Sequence, residues 1–470
     1  MARGDIEFGQ VAGTQTPESL TPGTLCTEET GESGYFENAI QPAEEGGVTP
    51  RQEFDLPPAD GGKDAWLFLA AVFAVDAVVW GFPFAFGIFQ DYYNSHEPFK
   101  GQPNVAIIGT STMGVMYLTS PLIMGLCRMF RSWTRWSPIL GLFIMAVALA
   151  LSSFATTTTH LIIFHGILYG LGGGIAYCPC IVYLDEWFIK RKGLAYGIMW
   201  SGTGLAGVVL PVLLESLLKS LGFRSTMRIW AGLMFALTAP LAYFIRPRLP
   251  LSATFHTKPF NLYFLVTPIF LVYQSANIIE SMGFFLPGIY LPTYARITLG
   301  VPSFPAASTV LLINVASVFG CVAMGWLIDR FHVTTCILIS TIGATVSVLV
   351  IWGLSSSLGL LYFFCIVYGL FAGSFTSAWP GIMRDMTQKG QGSNRGHVDP
   401  TMVFGFLCAG RGLGNVVAGP LSETLLRGSL WKGESAAYGY GSGYGSLIVF
   451  TGVTALLGGS SFVWRRLGVV

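Results

Sequence analysis

From Trp66 to the C-terminal end the chain is one apolar run after another, each about twenty residues long and almost free of charge. A helix of that length crosses the roughly 30 Å hydrocarbon core of a bilayer. Lipid offers no water to backbone N–H and C=O groups, so each run must close its hydrogen bonds internally, as an α-helix. Charge argues against a soluble fold: Asp, Glu, Lys and Arg make up 11% of the 470 residues, against about 25% in ordinary soluble domains. The expected fold class is an all-α membrane protein.

Hydropathy places twelve transmembrane helices at 65–90, 105–127, 137–155, 160–183, 193–216, 226–245, 261–290, 304–327, 334–354, 358–380, 399–426 and 443–464. The seventh is too long for a straight crossing. Pro268, Pro287 and Pro292 fall in or beside it, so a kink or break is expected there. Residues 1–64 have no apolar run and hold 13 of the 25 acidic residues, with only Arg3, Arg51 and Lys63 as cations. They read as a disordered acidic tail, with no signal-peptide core. The expected organisation is this tail at 1–64, six-helix bundles at 65–245 and 261–466, and a linker at 246–260.

An even number of spans places both ends of the chain on one side. Loops after the even-numbered spans, with the C-terminal segment, carry fifteen Lys and Arg; the opposite loops carry six. The positive-inside rule then makes both termini and the linker cytoplasmic, and the expected location is the plasma membrane. No basic face with interleaved aromatics suggests nucleic acid. The eight cysteines are scattered and read as packing residues.

The two halves resemble each other at an offset near 200. Ile167-Leu-Tyr-Gly-Leu-Gly-Gly-Gly174 in span 4 matches Ile366-Val-Tyr-Gly-Leu-Phe-Ala-Gly373 in span 10. Met124-Gly125 matches Met324-Gly325, and Gly87-Ile-Phe89 matches Gly288-Ile-Tyr290. Gly202-x-Gly-Leu205 and Glu215-Ser-Leu-Leu match Gly410-x-Gly-Leu413 and Glu423-Thr-Leu-Leu at an offset of 208. Four matches in one order indicate two six-helix pseudo-repeats, which resembles the architecture of major facilitator transporters and implies a solute site between the halves near the midplane. The glycine ladders Gly166/Gly170/Gly174, Gly193/Gly197/Ser201 and Gly369/Gly373/Ser377/Gly381 read as surfaces where helices pack closely.

Gly325-Trp-Leu-Ile-Asp329-Arg330 after span 8 resembles the Gly-x-Leu-x-Asp-Arg loop of the major facilitator superfamily. The resemblance implies that Gly325, Asp329 and Arg330 gate the cytoplasmic side. The corresponding loop after span 2 keeps Gly125, Arg128 and Arg131 but lacks the Asp. Asp60-Gly-Gly with Asp64-Ala-Trp66, Trp187 through Gly197, and Arg411-Gly-Leu-Gly-Asn415 with Gly419-Pro-Leu-Ser422 are similar to the fungal monocarboxylate-porter branch. There are departures from that branch. Phe84 follows Pro83 where well-studied animal members have Lys, and span 8, Asn314-Val-Ala-Ser317-Val-Phe-Gly320-Cys321, carries neither of their charges.

A charge at the bilayer centre costs about 2.5–3.5 kcal/mol, so such residues are candidates for function. Asp76 shares a helical face with Trp80 and Phe84, and an acid there can load and release a proton. Glu280 shares a face with Asn277 and Tyr273, and Asn277 falls at the level of Asp76 under the repeat. Arg411, with Phe404 one heptad earlier, is the candidate anion contact; a structural ion pair with Asp76 or Glu280 is its alternative role. His165 is a possible relay or a packing residue. Tyr169, Trp200, Tyr368 and Trp379 line a cavity or serve as core, and Asn314 adds a polar group in span 8.

No Walker, zincin or nucleophile-elbow motif occurs, so neither enzyme chemistry nor a cofactor or metal is expected, and ATP does not drive the chain directly. The resemblance implies a monomeric secondary carrier moving a small organic solute, a monocarboxylate or related metabolite, by alternating access with proton coupling. Export of a hydrophobic metabolite, and nutrient sensing without transport, are the alternatives.

Overall fold

The computed structural model describes residues 56–100, 102, 104–249, 261–391, 398–427 and 438–468. The acidic tail up to residue 55 and the loop cations Lys258, Arg395 and Lys432 lie outside the described residues. The described part is a bundle of helices. Ten are long and apolar enough to cross a membrane, and a shorter apolar helix and the division of one long stretch make twelve crossings. In order they are α1 Gly62–Ser95, α2 Val105–Met129, the shorter α3 Ser137–Ser152, and α4 Thr158–Trp187. Lys192–Ala242 is then a helical stretch broken at Gly222, which is not helical (φ 73°, ψ 172°). It is two crossings, α5 (192–221) and α6 (223–242). The sequence reading put a loop at 217–225; instead a single glycine turns the chain, since only glycine adopts such a φ without strain. The second set comprises α7 Pro268–Thr298, α8 Ser303–Ile328, α9 Val333–Trp352, α10 Leu358–Lys389, α11 Pro400–Leu426 and α12 Gly445–Arg466.

The expected break in α7 falls at Phe285, between Pro268–Phe284 and Leu286–Thr298. An equivalent break in α1, at Ala85, was not anticipated. Its cause is Pro83, which has no N–H for the carbonyl of Val79. Tyr169 of α4 supplies the missing donor: its hydroxyl reaches the Val78 and Val79 carbonyls at 3.3 and 3.4 Å. In α7, Pro287 lies in the first turn of the segment after the break, and Tyr368 of α10 donates to the Phe284 carbonyl beside it at 2.9 Å. The two tyrosines occupy matching places in the repeat.

The glycine ladders are packing surfaces. Side chains at Gly166, Gly170 and Gly174 would meet α2, and side chains at Gly369 and Gly373 would meet α8. Between the halves, α5 runs against α8. Gly193, Gly197, Gly204 and Gly207 face Gly325, Cys321, Ser317 and Asn314 so closely that a Cβ has no room. α2 meets α11 where Gly405 and Gly412 lie on Pro121 and Tyr117. Large apolar side chains such as Leu122, Leu140, Val212, Phe319 and Phe363 stay exposed on the outside of the bundle. That is where lipid takes the place of a protein core, and close backbone packing between helices supplies the cohesion.

Candidate functional site

Among the described residues, Arg128 and Arg131 around the end of α2, Lys192 after α4, Arg248 after α6 and Arg384 near the end of α10 each have a partner at one end of the bundle, here termed the basic end. Among the described residues two links cross between the halves there. The Asp329 carboxylate, just past α8, accepts hydrogen bonds from the Gly193 and Leu194 N–H groups of α5, at 2.7 and 2.9 Å. It sits on the free N–H groups of a helix N-terminus, where an anion is favoured. Burial pushes the Asp329 carboxyl above its ordinary value, and the Leu194 and Gly193 N–H groups partly oppose this. In the second link, Arg128 Nε at the end of α2 donates to Asp399 at 2.7 Å. Asp399 also accepts from the Thr401 N–H at 2.9 Å, capping α11.

The loop after α2 lacks an Asp, and the link from α2 to α11 has its charges the other way round. The carboxylate belongs to the α11 cap, and the cation comes across from α2. Arg330, grouped with Asp329 by motif, instead lies over the Trp326 ring at 3.9 Å. Arg131 stays within its own half and pairs with Glu186, which also accepts from the Arg248 and Leu249 N–H groups at 3.1 Å.

The Asp60-Gly-Gly and Trp187 stretches meet at this end. Asp60 Oδ1 accepts from the backbone N–H of Ile189, Lys190 and Arg191 at 2.9, 2.9 and 2.8 Å. Burial acts to raise the Asp60 carboxyl, but the three N–H groups and the Arg191 charge outweigh it and hold it below its ordinary value. A cavity of ≈ 160 Å³ lies where Asp185, Lys192, Asp329 and Arg384 converge between the halves.

Toward the middle of the bundle lies a second cluster. Arg411 Nη1 donates to Glu280 Oε2 at 2.9 Å, with side chains only 2% and 5% exposed. This is the ion pair weighed as Arg411's alternative role, and it selects Glu280 over Asp76. The guanidinium also lies over the rings of Phe284 and Phe285, at 4.3 and 5.5 Å, beside the α7 break, and faces the Tyr117 hydroxyl of the other half. Asp76 Oδ2 accepts from Thr203 Oγ1 at 2.7 Å and the Thr203 N–H at 3.2 Å, while Oδ1 has no partner. Thr203 is the repeat counterpart of Arg411, so both halves bond an α1 or α7 acid to the same position of α5 or α11. Asn277 Nδ2 donates to the Leu407 carbonyl at 2.8 Å.

Aromatic rings join the two halves around these acids. Trp80 packs on Tyr117 and Tyr177 at 4.5 and 5.5 Å, and Trp200 Nε1 donates to the Tyr177 hydroxyl at 3.0 Å. Trp200 stacks on Phe404 of α11 at 6.0 Å and meets Trp379 of α10 edge-on at 5.9 Å. The indole N–H groups of Trp80 and Trp379 are buried without partners. The result is an aromatic box with spare donors, next to an arginine.

The structure therefore brings together Asp76, Trp80, Asn277, Glu280, Trp379, Phe404 and Arg411. It places the other expected residues elsewhere. Tyr273 turns to the basic end and donates to Asp385 at 2.8 Å. His165 is caged within the first half by Phe82, Phe86 and Phe89, with Nδ1 3.4 Å from the Tyr93 hydroxyl. Asn314 bridges the halves, donating to the Gly207 carbonyl at 3.0 Å. Phe84 lies at the α1 break, half-buried, and Tyr169 serves that break. Sequence reasoning missed Tyr117, Tyr177 and Asp399, and it reached Thr203 only as the position aligned with Arg411. Only Asp399 left a trace: an Asp directly before Pro400 at a helix start is an N-cap signal. Nothing separates the two tyrosines from other membrane tyrosines.

A polytopic bundle of two matched halves, linked at one end and lined with buried charge and aromatics at its centre, is a membrane carrier. The family model described as Major Facilitator Superfamily matches residues 67–398, and the chain belongs to that superfamily. It is an integral membrane transporter and not an enzyme. The chain is 25% identical over 418 residues to the "MFS transporter asaE" of Aspergillus flavus, covering 88% of this chain and 89% of that one. It is 25% identical over 334 residues to the "Fujikurins efflux protein" of Gibberella fujikuroi, covering 69% of each. Among solved structures it resembles the human organic anion transporter MFSD10 (TETRAN), with a TM-score of 0.58 at 13% identity, over 87% of this chain and 98% of that one. At that identity the likeness shows the fold alone.

Proposed function

We propose that the chain carries an organic acid with an apolar, ring-bearing body, driven by protons. The observation that supports this is Arg411, buried, paired with Glu280 and set beside an aromatic box drawn from both halves. Arg411 is the anion contact, since its planar fork suits a carboxylate. The solute carboxylate competes with Glu280 for it. Once displaced, Glu280 sits in an apolar setting without its counter-charge, and a proton neutralises it. Solute and proton are then bound together. Asp76, with one unpartnered oxygen, is the second proton-carrying candidate. Trp80, Trp200, Trp379 and Phe404 take the apolar body, and the unpartnered indole N–H groups meet its acceptors.

In this reading the basic end is cytoplasmic, as are both termini, the membrane is the plasma membrane, and the chain works as a monomer. Asp329 with Gly193 and Leu194, and Arg128 with Asp399, are the links broken when the cavity opens to the cytoplasm. Residues 65–245 and 261–466 are the moving halves and 246–260 is their linker.

A second reading reverses the direction. Export of a hydrophobic metabolite is favoured by the aromatic box and by the relative named as an efflux protein. The test is a metabolite transport screen with reconstituted protein, with a pH gradient of either sign and without one. Arg411→Ala should abolish flux of an anionic solute while folded protein remains in the membrane. Unchanged flux removes the anion assignment, and flux indifferent to pH gradients removes the proton.

A further inference from the structure

Next to Glu280 the second half holds a small void with ≈ 10 Å³ of room for the centre of a water molecule. Glu280 and Phe284 of α7, Ser340 and Thr341 of α9, Tyr368 of α10 and Thr451 of α12 line it; Arg411 does not. That volume is about what one water requires, and a buried water also needs two to four polar partners.

Thr451 supplies the second observation. It is 1% exposed, and its hydroxyl has no hydrogen-bond partner. A buried threonine in a helix ordinarily donates to the carbonyl four residues back. Thr341, Thr345 and Thr454 nearby do so, at 2.9, 2.7 and 3.0 Å. Thr451 does not, and it lines the void that Glu280 also lines. An orphaned buried hydroxyl is destabilising, and the void offers what it lacks. Ser340 and Thr341 donate to the Phe371 and Ile337 carbonyls at 2.7 and 2.9 Å, which leaves their lone pairs free to accept from a water.

We infer that one water molecule occupies this void and bridges the Thr451 hydroxyl and the Glu280 carboxyl. The site deepens the proton reading of Glu280 and rests on it for its function. It gives Glu280 a partner on the second half that stays when Arg411 turns to the solute, and so sets how readily the acid leaves the arginine. Of the elements packed on α7 around Glu280, α11 presents Arg411 and α10 presents Tyr368, whose hydroxyl is committed to Phe284. α9 and α12 present only hydroxyls there. Asp385, Lys389 and Arg465 face α7 two turns away, around Tyr273.

The test needs no solute. A map of the full chain in lipid nanodiscs, at a resolution that shows waters, should hold density between Thr451 and Glu280, and Thr451→Val should lose it. In infrared titration of the same samples, the carboxylic-acid C=O band that Glu280→Gln abolishes should move in Thr451→Val and stay in place in Thr451→Ser. An empty void in the wild type overturns the site. So does a Glu280 band indifferent to Thr451→Val, or density that follows added sodium. If Glu280→Gln abolishes no band, the proton reading of Glu280 falls, and the map alone decides the water.

Discussion

Replacing Glu280 by Gln tests the exchange of partners at Arg411 directly. The Arg411–Glu280 contact is a charge-assisted hydrogen bond of 2.9 Å between side chains almost wholly shielded from solvent. A hydrogen bond to a charged group contributes about 1.5–3 kcal/mol. Gln keeps the shape and an acceptor oxygen but not the charge, so it holds the guanidinium far more weakly. A solute carboxylate no longer has to displace an anion, and the gain appears as tighter binding. At 1.4 kcal/mol per tenfold, that is about 10- to 150-fold in Kd. Coupling should fall at the same time, because the acid that takes up the proton is gone. The assay is equilibrium binding to purified protein, read by quenching of Trp80, Trp200 and Trp379, with a carboxylate recovered from the transport screen. Proteoliposome uptake with and without a pH gradient completes it. Glu280→Gln should bind more tightly, exchange solute, and fail to accumulate it. Binding weaker than wild type, or accumulation undiminished, refutes the exchange of partners.

Other consequences concern the basic end. Arg128→Glu places like charges against Asp399 and should favour opening at that end by roughly 1–3 kcal/mol, about 5- to 150-fold in population; adding Asp399→Arg should restore closure, as read by spin-label distances across α2 and α11. Gly197→Val should keep the basic end from closing, because its side chain would meet the Cys321 carbonyl of α8, and a disulfide engineered across α5 and α8 should then fail to form in a protein that still inserts and binds solute. Asp60 and Asp329, on the same helix start, should respond oppositely to acid. Asp60 is held below its ordinary 3.8, so its contribution is complete above that value and is lost only as pH falls through the lower one. Asp329 is pushed above 3.8 in the closed form, so its contribution to closure is complete below 3.8 and is lost as pH rises through the raised value. Acidification through that window should therefore shift the spin-label distances toward closure, and Asp329→Asn should erase the shift.

Some of this was written in the linear chain. The apolar runs dictated helices because backbone groups in lipid have no other partners. Pro287 announced the α7 break, and the repeated Tyr-Gly-Leu stretches of α4 and α10 pointed to two matched halves. Arg411 and Glu280 were conspicuous as charges in apolar runs, since such charges are costly and must be answered. What stayed hidden was who answers whom. Folding chose Glu280 over Asp76 as the partner of Arg411 and gave Asp76 to Thr203. It drew Tyr273 and His165 away from the centre, and it built the second link between the halves from Arg128 and Asp399 with its charges exchanged. Helical periodicity gives the face of each residue within its own helix, whereas partners across helices depend on how far each pair slides and turns when packed. Small residues such as Gly193, Gly197 and Gly412 set that approach by steric fit, which only the assembled structure reveals.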